Sequence, residues 1–149
     1  MSGVRAPSTY AEWADVFALL KSKGDDEAAL KAMKSGTLEW QAGVAERFTQ
    51  SLAGAVNARM NAASDKFQKD MGRAAGKEGP IVQAIIALRK EMAFLADAMD
   101  LPAIPAEDRP KYVRLVREQA EKMQASLDES AKKDRSGKMS GIARSHRLV

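Results

Sequence analysis

The amino-acid sequence predicts an all-α protein. The expected form is an elongated antiparallel bundle of three main helices, with an N-terminal helical hairpin and a flexible basic C-terminal tail. Three observations predict it. Apolar residues recur at steps of three and four through successive segments, the spacing of one helix face. Apolar residues make up 45% of the 149 but aromatics only 5%. Alanine and methionine therefore carry much of the apolar share, which favours helix over sheet. Glycine and proline fall between the periodic segments, where helices stop and start.

The first helix is expected from Thr9, because Thr9-Tyr10-Ala11-Glu12 reads as a capping box. Tyr10, Trp13, Phe17 and Leu20 form its aromatic-rich stripe, and Gly24 stops it. Asp25 or Asp26 caps a short second helix with Ala29, Leu30 and Met33 as its buried face, ended by Ser35-Gly36.

Thr37 is expected to open the longest element. Val44, Phe48, Leu52, Val56, Met60, Ala63, Phe67, Met71 and Ala74 form its apolar seam. Glu46, Arg47, Gln50, Asn57, Arg59, Asn61, Asp65, Lys66, Lys69 and Asp70 make the polar face. Gly54 lowers helix propensity locally by roughly 1 kcal/mol. The glycine-rich run Gly72 to Gly79 ends this helix, and Pro80 suits the first turn of the next. There Ile81, Ile85, Leu88, Met92, Leu95 and Met99 form a stripe broadened by Val82, Ile86 and Phe94. Leu101-Pro102-Ala103-Ile104-Pro105 breaks it, since proline biases its predecessor away from helix.

The last long helix is expected from Pro110, with Val113, Val116, Ala120, Met123, Leu127 and Ala131 as its seam. Glu118–Lys122, Asp128–Lys132 and Glu129–Lys133 are acid-before-base pairs four apart. Gly137 and Gly141 then interrupt the pattern. The segments divide as a hairpin over 1–36, a three-helix bundle over 37–135 and a tail over 136–149.

Reversal at short loops sets the Pro80 helix against the C-terminal half of its predecessor. The N-terminal half is then left to the hairpin, and Trp13, Phe17 and Trp40 are expected to meet there. Charge follows the same geometry. Up to residue 131, 18 Lys/Arg stand against 19 Asp/Glu; from Lys132 onward, 6 stand against Asp134 alone. Antiparallel packing would gather Lys66, Lys69, Arg73 and Lys77 with Lys132, Lys133, Arg135, Lys138, Arg144 and Arg147 at one basic pole.

Several chemistries find no support in these residues. Without cysteine there is no disulfide, thiolate metal site or cysteine nucleophile. One histidine, His146, cannot make a zinc site of ordinary composition, a Glu-x-x-His di-iron centre or, set in the tail, a convincing triad. Gly72 to Glu78 fails as a phosphate loop: its glycines are too close, Glu78 replaces the metal-binding hydroxyl, and no strand precedes it. Residues 13–33 fail as a DNA-reading helix-turn-helix, because Asp25, Asp26 and Glu27 would face phosphates with like charge. Glu91, Asp97 and Asp100, near the end of a buried helix, leave carboxylate acid–base chemistry as a third and weaker option, with no cleft of converging groups to support it. Methionines 60, 71, 92, 99 and 123 fall on apolar seams and read as core. The opening MSGVRAPSTYAEW lacks a signal-peptide apolar run, and no stretch approaches the roughly 20 apolar residues of a membrane span.

The reading is therefore a cytoplasmic, non-enzymatic helical interaction or scaffold subunit with a protein partner. It has no cofactor, metal, membrane or small-molecule substrate. Trp13, Phe17 and Trp40 are its candidate partner contacts. The alternative is sequence-independent nucleic-acid binding at the basic pole, where lysines and arginines displace counterions from phosphates. Against base readout by the tail, no aromatic follows Tyr112.

Overall fold

A computed structural model describes residues 5–133 and 137–148. All regular structure among the described residues is helical: α1 (Tyr10–Ser22), α2 (Asp26–Ser35), α3 (Ala42–Ala74), α4 (Glu78–Met99), α5 (Arg109–Lys133) and α6 (Lys138–Ser145). The contacts divide the chain into two compact units. One comprises Met1–Met60 with Asp97–Val113, the other Asn61–Ala96 with Arg114–Val149.

In the first unit, α1 starts where the sequence indicates. The Thr9 side chain accepts from the Glu12 N–H at 3.3 Å. The reciprocal bond goes one residue further back than a capping box requires: Glu12 accepts from the Ser8 hydroxyl (3.0 Å) and N–H (3.3 Å). The Ser8 hydroxyl bond is the chief cause holding the Glu12 carboxyl below its ordinary value. Lys23, not Gly24, takes the left-handed conformation that ends α1. Asp25 caps α2 by accepting from the Ala28 N–H at 3.0 Å.

The expected start of the long helix at Thr37 is displaced to Ala42. The reason lies in what the backbone around Thr37 does. Its N–H donates to the Pro7 carbonyl (2.8 Å), and its carbonyl accepts from the Trp13 indole N–H (2.9 Å). Both groups are thus committed across the chain rather than along a helix. Gly36 sits against the same indole, so closely that a Cβ there would lie 2.6 Å from Trp13 Cζ2 and 2.9 Å from Pro7 Cγ. Here glycine is required by space, not by backbone angle.

Phe48 is the centre of this unit's core. Trp13, Phe17 and Trp40 surround it with ring centroids 5.1, 5.3 and 5.3 Å away, in the edge-on arrangement that ring quadrupoles favour. Leu20, Met33, Leu52, Val56, Met99, Leu101 and Ile104 complete the buried layer. The loop after α4 is apolar at Leu101 and Ile104 and is pinned by Arg109, which donates to the Ile104 and Pro102 carbonyls.

Arg59 overturns its place on the polar face: it is buried. Its guanidinium donates to both Asp26 oxygens at 2.7 and 3.1 Å and to the Leu20 carbonyl at 3.0 Å. One cation thereby ties the C-terminal end of α1 to the first residue of α2; the guanidinium suits the negative end of α1, and the Asp26 carboxylate suits the positive end of α2.

In the second unit, α3 and α4 are joined by a tight reversal. Ala75 (φ 48°) and Gly76 (φ 79°) are left-handed, while Gly72 and Gly79 are helical. Of the glycine-rich run, only Gly76 meets a conformational demand. Ile81, Ile85, Leu88, Met92 and Leu95 of α4 are buried with Val116, Ala120, Leu127 and Ala131 of α5.

The tail expected to be flexible is helical over Lys138–Ser145. It is fastened by apolar anchors that residue composition alone under-weighted: Ile142 and Leu148 are buried. The Leu148 N–H donates to Gln124 Oε1 at 2.6 Å, and the Gln124 amide donates to Asp128 at 3.0 Å. Asp128 in turn meets Arg147 at 3.7 Å.

Candidate functional site

Burial tests the aromatic residues first. Trp13 and Phe17 are 0% and 3% exposed, enclosed by their packing on Phe48. Trp40 is half-buried beside the same ring.

An apolar groove lies in the second unit, between α3 and α5. Phe67 and Met71 from α3 face Met123 and Leu127 from α5 across a groove of about 490 Å³. Ser64, Gln68, Gln119, Lys122, Ser126 and Ser130 complete its walls. Phe67, Met71 and Met123 are only half-buried, whereas Leu127 is buried. The sequence places these side chains on seams, but periodicity names the face without saying whether anything covers it. Serines at 64, 126 and 130 beside a seam were the available signal, since a closed core seldom takes unpaired hydroxyls. Leu115, 45% exposed, is the large hydrophobic left open on α5 in this unit.

A second groove of about 440 Å³ runs between α3 and α4, lined by Lys66, Asp70, Arg73, Ala74, Pro80, Gln83, Ala84 and Ala87. Lys66 is paired with Asp70 at 2.7 Å. Arg73 shares the groove; Lys69 and Lys77 are exposed on the same unit, as are Lys132 and Lys133 in the last turn of α5. Arg147 is engaged with Asp128, and Arg144 is exposed. Arg135 and the Lys138 side chain lie outside the described residues.

The i,i+4 pairs read from α5 do not form. Among the described residues, Arg117–Glu121 at 3.5 Å is the ion pair within α5, and Asp128 turns to Arg147 instead of Lys132. The three candidate acids are also separated by role. Asp97 pairs with Lys34 at 3.0 Å, and Lys34 also donates to the Asp100 carbonyl, so both act at the end of α4 in the first unit. Glu91 belongs to the second unit. His146 follows α6, its N–H bonded to the Ile142 carbonyl. Among the described residues no cluster of three His, Cys, Asp or Glu is arranged to hold a metal ion. No helix among them is long and apolar enough to cross a membrane.

A scan against protein-family models finds no match, and searches of curated proteins and of solved structures find none either.

Proposed function

We propose that the protein is a cytoplasmic, non-enzymatic helical interaction subunit that engages a protein partner through the α3–α5 groove. One observation carries the reading: Phe67, Met71 and Met123 leave an apolar trough half-covered between α3 and α5. A trough between two helices, floored by apolar side chains and walled by serine, glutamine and lysine, suits an amphipathic helix laid along it. Methionine at two of the floor positions adapts to the partner's side chains. The test is capture from the native host with the wild-type chain and with Met71→Glu and Met123→Glu, each with and without nuclease. Loss of a nuclease-resistant partner in both variants supports the groove; equal capture by all three chains removes it.

Sequence-independent nucleic-acid binding is the second reading, favoured by Lys69, Arg73 and Lys77, which make no ion pair among the described residues. Removing residues 136–149 is a poor test, since it also uncovers the surface under Ile142 and Leu148. Lys69→Glu with Arg73→Glu is cleaner. Binding through these groups would lose about 0.9 in salt slope for each phosphate contact removed, and an unchanged slope would exclude them.

A further inference from the structure

Along α5, Glu118, Lys122, Ala125, Ser126, Glu129 and Lys133 are all exposed and follow one another at steps that hold them on one stripe. Lys122 and Ser126 also line the α3–α5 groove, so the stripe and the groove form one continuous surface. The four charges are spaced for pairing within the helix, yet none of them has an ion pair among the described residues. Their order along the helix is acid, base, two small residues, acid, base.

We infer that the occupant of the groove is a second copy of this chain, with the two α5 helices antiparallel about a two-fold axis between Ala125 and Ser126. This rests on the groove reading above and names its partner. Under that symmetry, residues equally far on either side of the axis face each other. Glu118 meets the partner's Lys133, and Lys122 meets the partner's Glu129, each contact occurring twice. Ser126, on the groove wall, is small enough at the crossing to let the axes approach toward the short end of the usual range of about 8–10 Å. The partner's α5 then lies over Phe67, Met71 and Met123, the apolar groups a single chain leaves half-covered.

The charge order also selects the register. Sliding the partner by one heptad in one direction sets Lys122 against its own copy; sliding it in the other sets Glu129 against its own copy. A parallel in-register pair opposes like charges at all four positions. Only the antiparallel arrangement centred on Ala125 and Ser126 satisfies every charge, a repulsive discrimination of the kind used in coiled coils. From Glu118 to Lys133 the contact runs roughly 22 Å along the helix.

The test is sedimentation equilibrium on three full-length chains, with helicity checked by circular dichroism. The wild type is expected to dimerise reversibly with concentration. The all-basic variant (Glu118→Lys with Glu129→Lys) and the all-acidic variant (Lys122→Glu with Lys133→Glu) should each self-associate at least about ten-fold more weakly. An equimolar mixture of the two should recover dimerisation. A monomeric wild type, variants that dimerise like wild type, or a mixture that fails to recover overturns the second-copy assignment. The groove itself is judged separately: if the wild type is monomeric but Met71→Glu still abolishes capture of a native partner, only the identity of the occupant is lost.

Discussion

Arg59 and Asp26 form a bidentate ion pair, 2.7 and 3.1 Å between nitrogens and oxygens, in which the two partners differ sharply in exposure: 1% for the arginine side chain, 35% for the aspartate. The asymmetry decides what each substitution does. Asp26→Ala strips two charge-assisted hydrogen bonds from a buried cation, a loss of about 3 kcal/mol. Arg59→Met leaves a carboxylate that water can reach and keeps most of the buried volume, so the loss is smaller, about 1–2 kcal/mol. Chemical denaturation of both variants checks the order; equal losses would show that the pair is not the clamp described.

Gly36→Ala forces a methyl group into the face of Trp13. The new Cβ has 2.6 Å to the indole and 2.9 Å to Pro7, and neither neighbour is a flexible side-chain end. The expected cost is about 2 kcal/mol, in the range for overpacking, with an altered tryptophan emission in the folded state. Gly54→Ala, where a Cβ meets nothing within 4 Å, should instead stabilise by roughly 0.5–1 kcal/mol through helix propensity.

Glu12 provides a pH signature. Its carboxyl is held below the ordinary value of 4.5, chiefly by the Ser8 hydroxyl. A folded-state value below the unfolded one contributes stability above the unfolded pKa, and that contribution disappears as pH falls through the folded value. Glu12→Gln should therefore lower the melting temperature at pH 7 and leave it nearly unchanged at pH 2.5. Equal shifts at both pH values would mean the charge has no role in the cap.

Ala75 pays for the α3–α4 reversal with a left-handed backbone at φ 48°. Ala75→Gly removes a penalty of about 1–2 kcal/mol but adds unfolded-chain entropy, for a net gain of up to about 1 kcal/mol. Gly76→Ala, at φ 79°, should cost about 1 kcal/mol. Thermal denaturation of the two variants distinguishes them by sign.

Residues whose structure is decided locally were legible in the sequence. Thr9, Asp25 and the Leu101–Pro105 break act through bonds a few residues away, and their helices begin and end accordingly. Phe48 and its aromatic neighbours were legible in part, because a periodic seam demands a cover even when the cover is unnamed. Arg59 was not legible: its position among polar neighbours on α3 says nothing of Asp26 and Leu20, distant in sequence, closing over it. Thr37 failed for the same reason, since its helical bonds are replaced by bonds to Pro7 and Trp13. The helix over Lys138–Ser145 was not legible, because charge shows in composition while the burial of Ile142 and Leu148 and the Leu148–Gln124 bond do not. The groove lies at the same boundary. Phe67, Met71 and Met123 announce an apolar face, and only the packing reveals that the face is unfilled.

Methionine methyl NMR with a soluble paramagnetic probe tests the groove most directly, because Met33 and Met99 are buried while Met71 and Met123 line the trough. In dilute protein, the Met71 and Met123 methyl signals should broaden strongly, those of Met33 and Met99 should not, and raising the protein concentration should protect the first pair. Met71 and Met123 as shielded as Met33 and Met99 at the lowest concentration would contradict the account, since the trough would then be closed in the isolated chain.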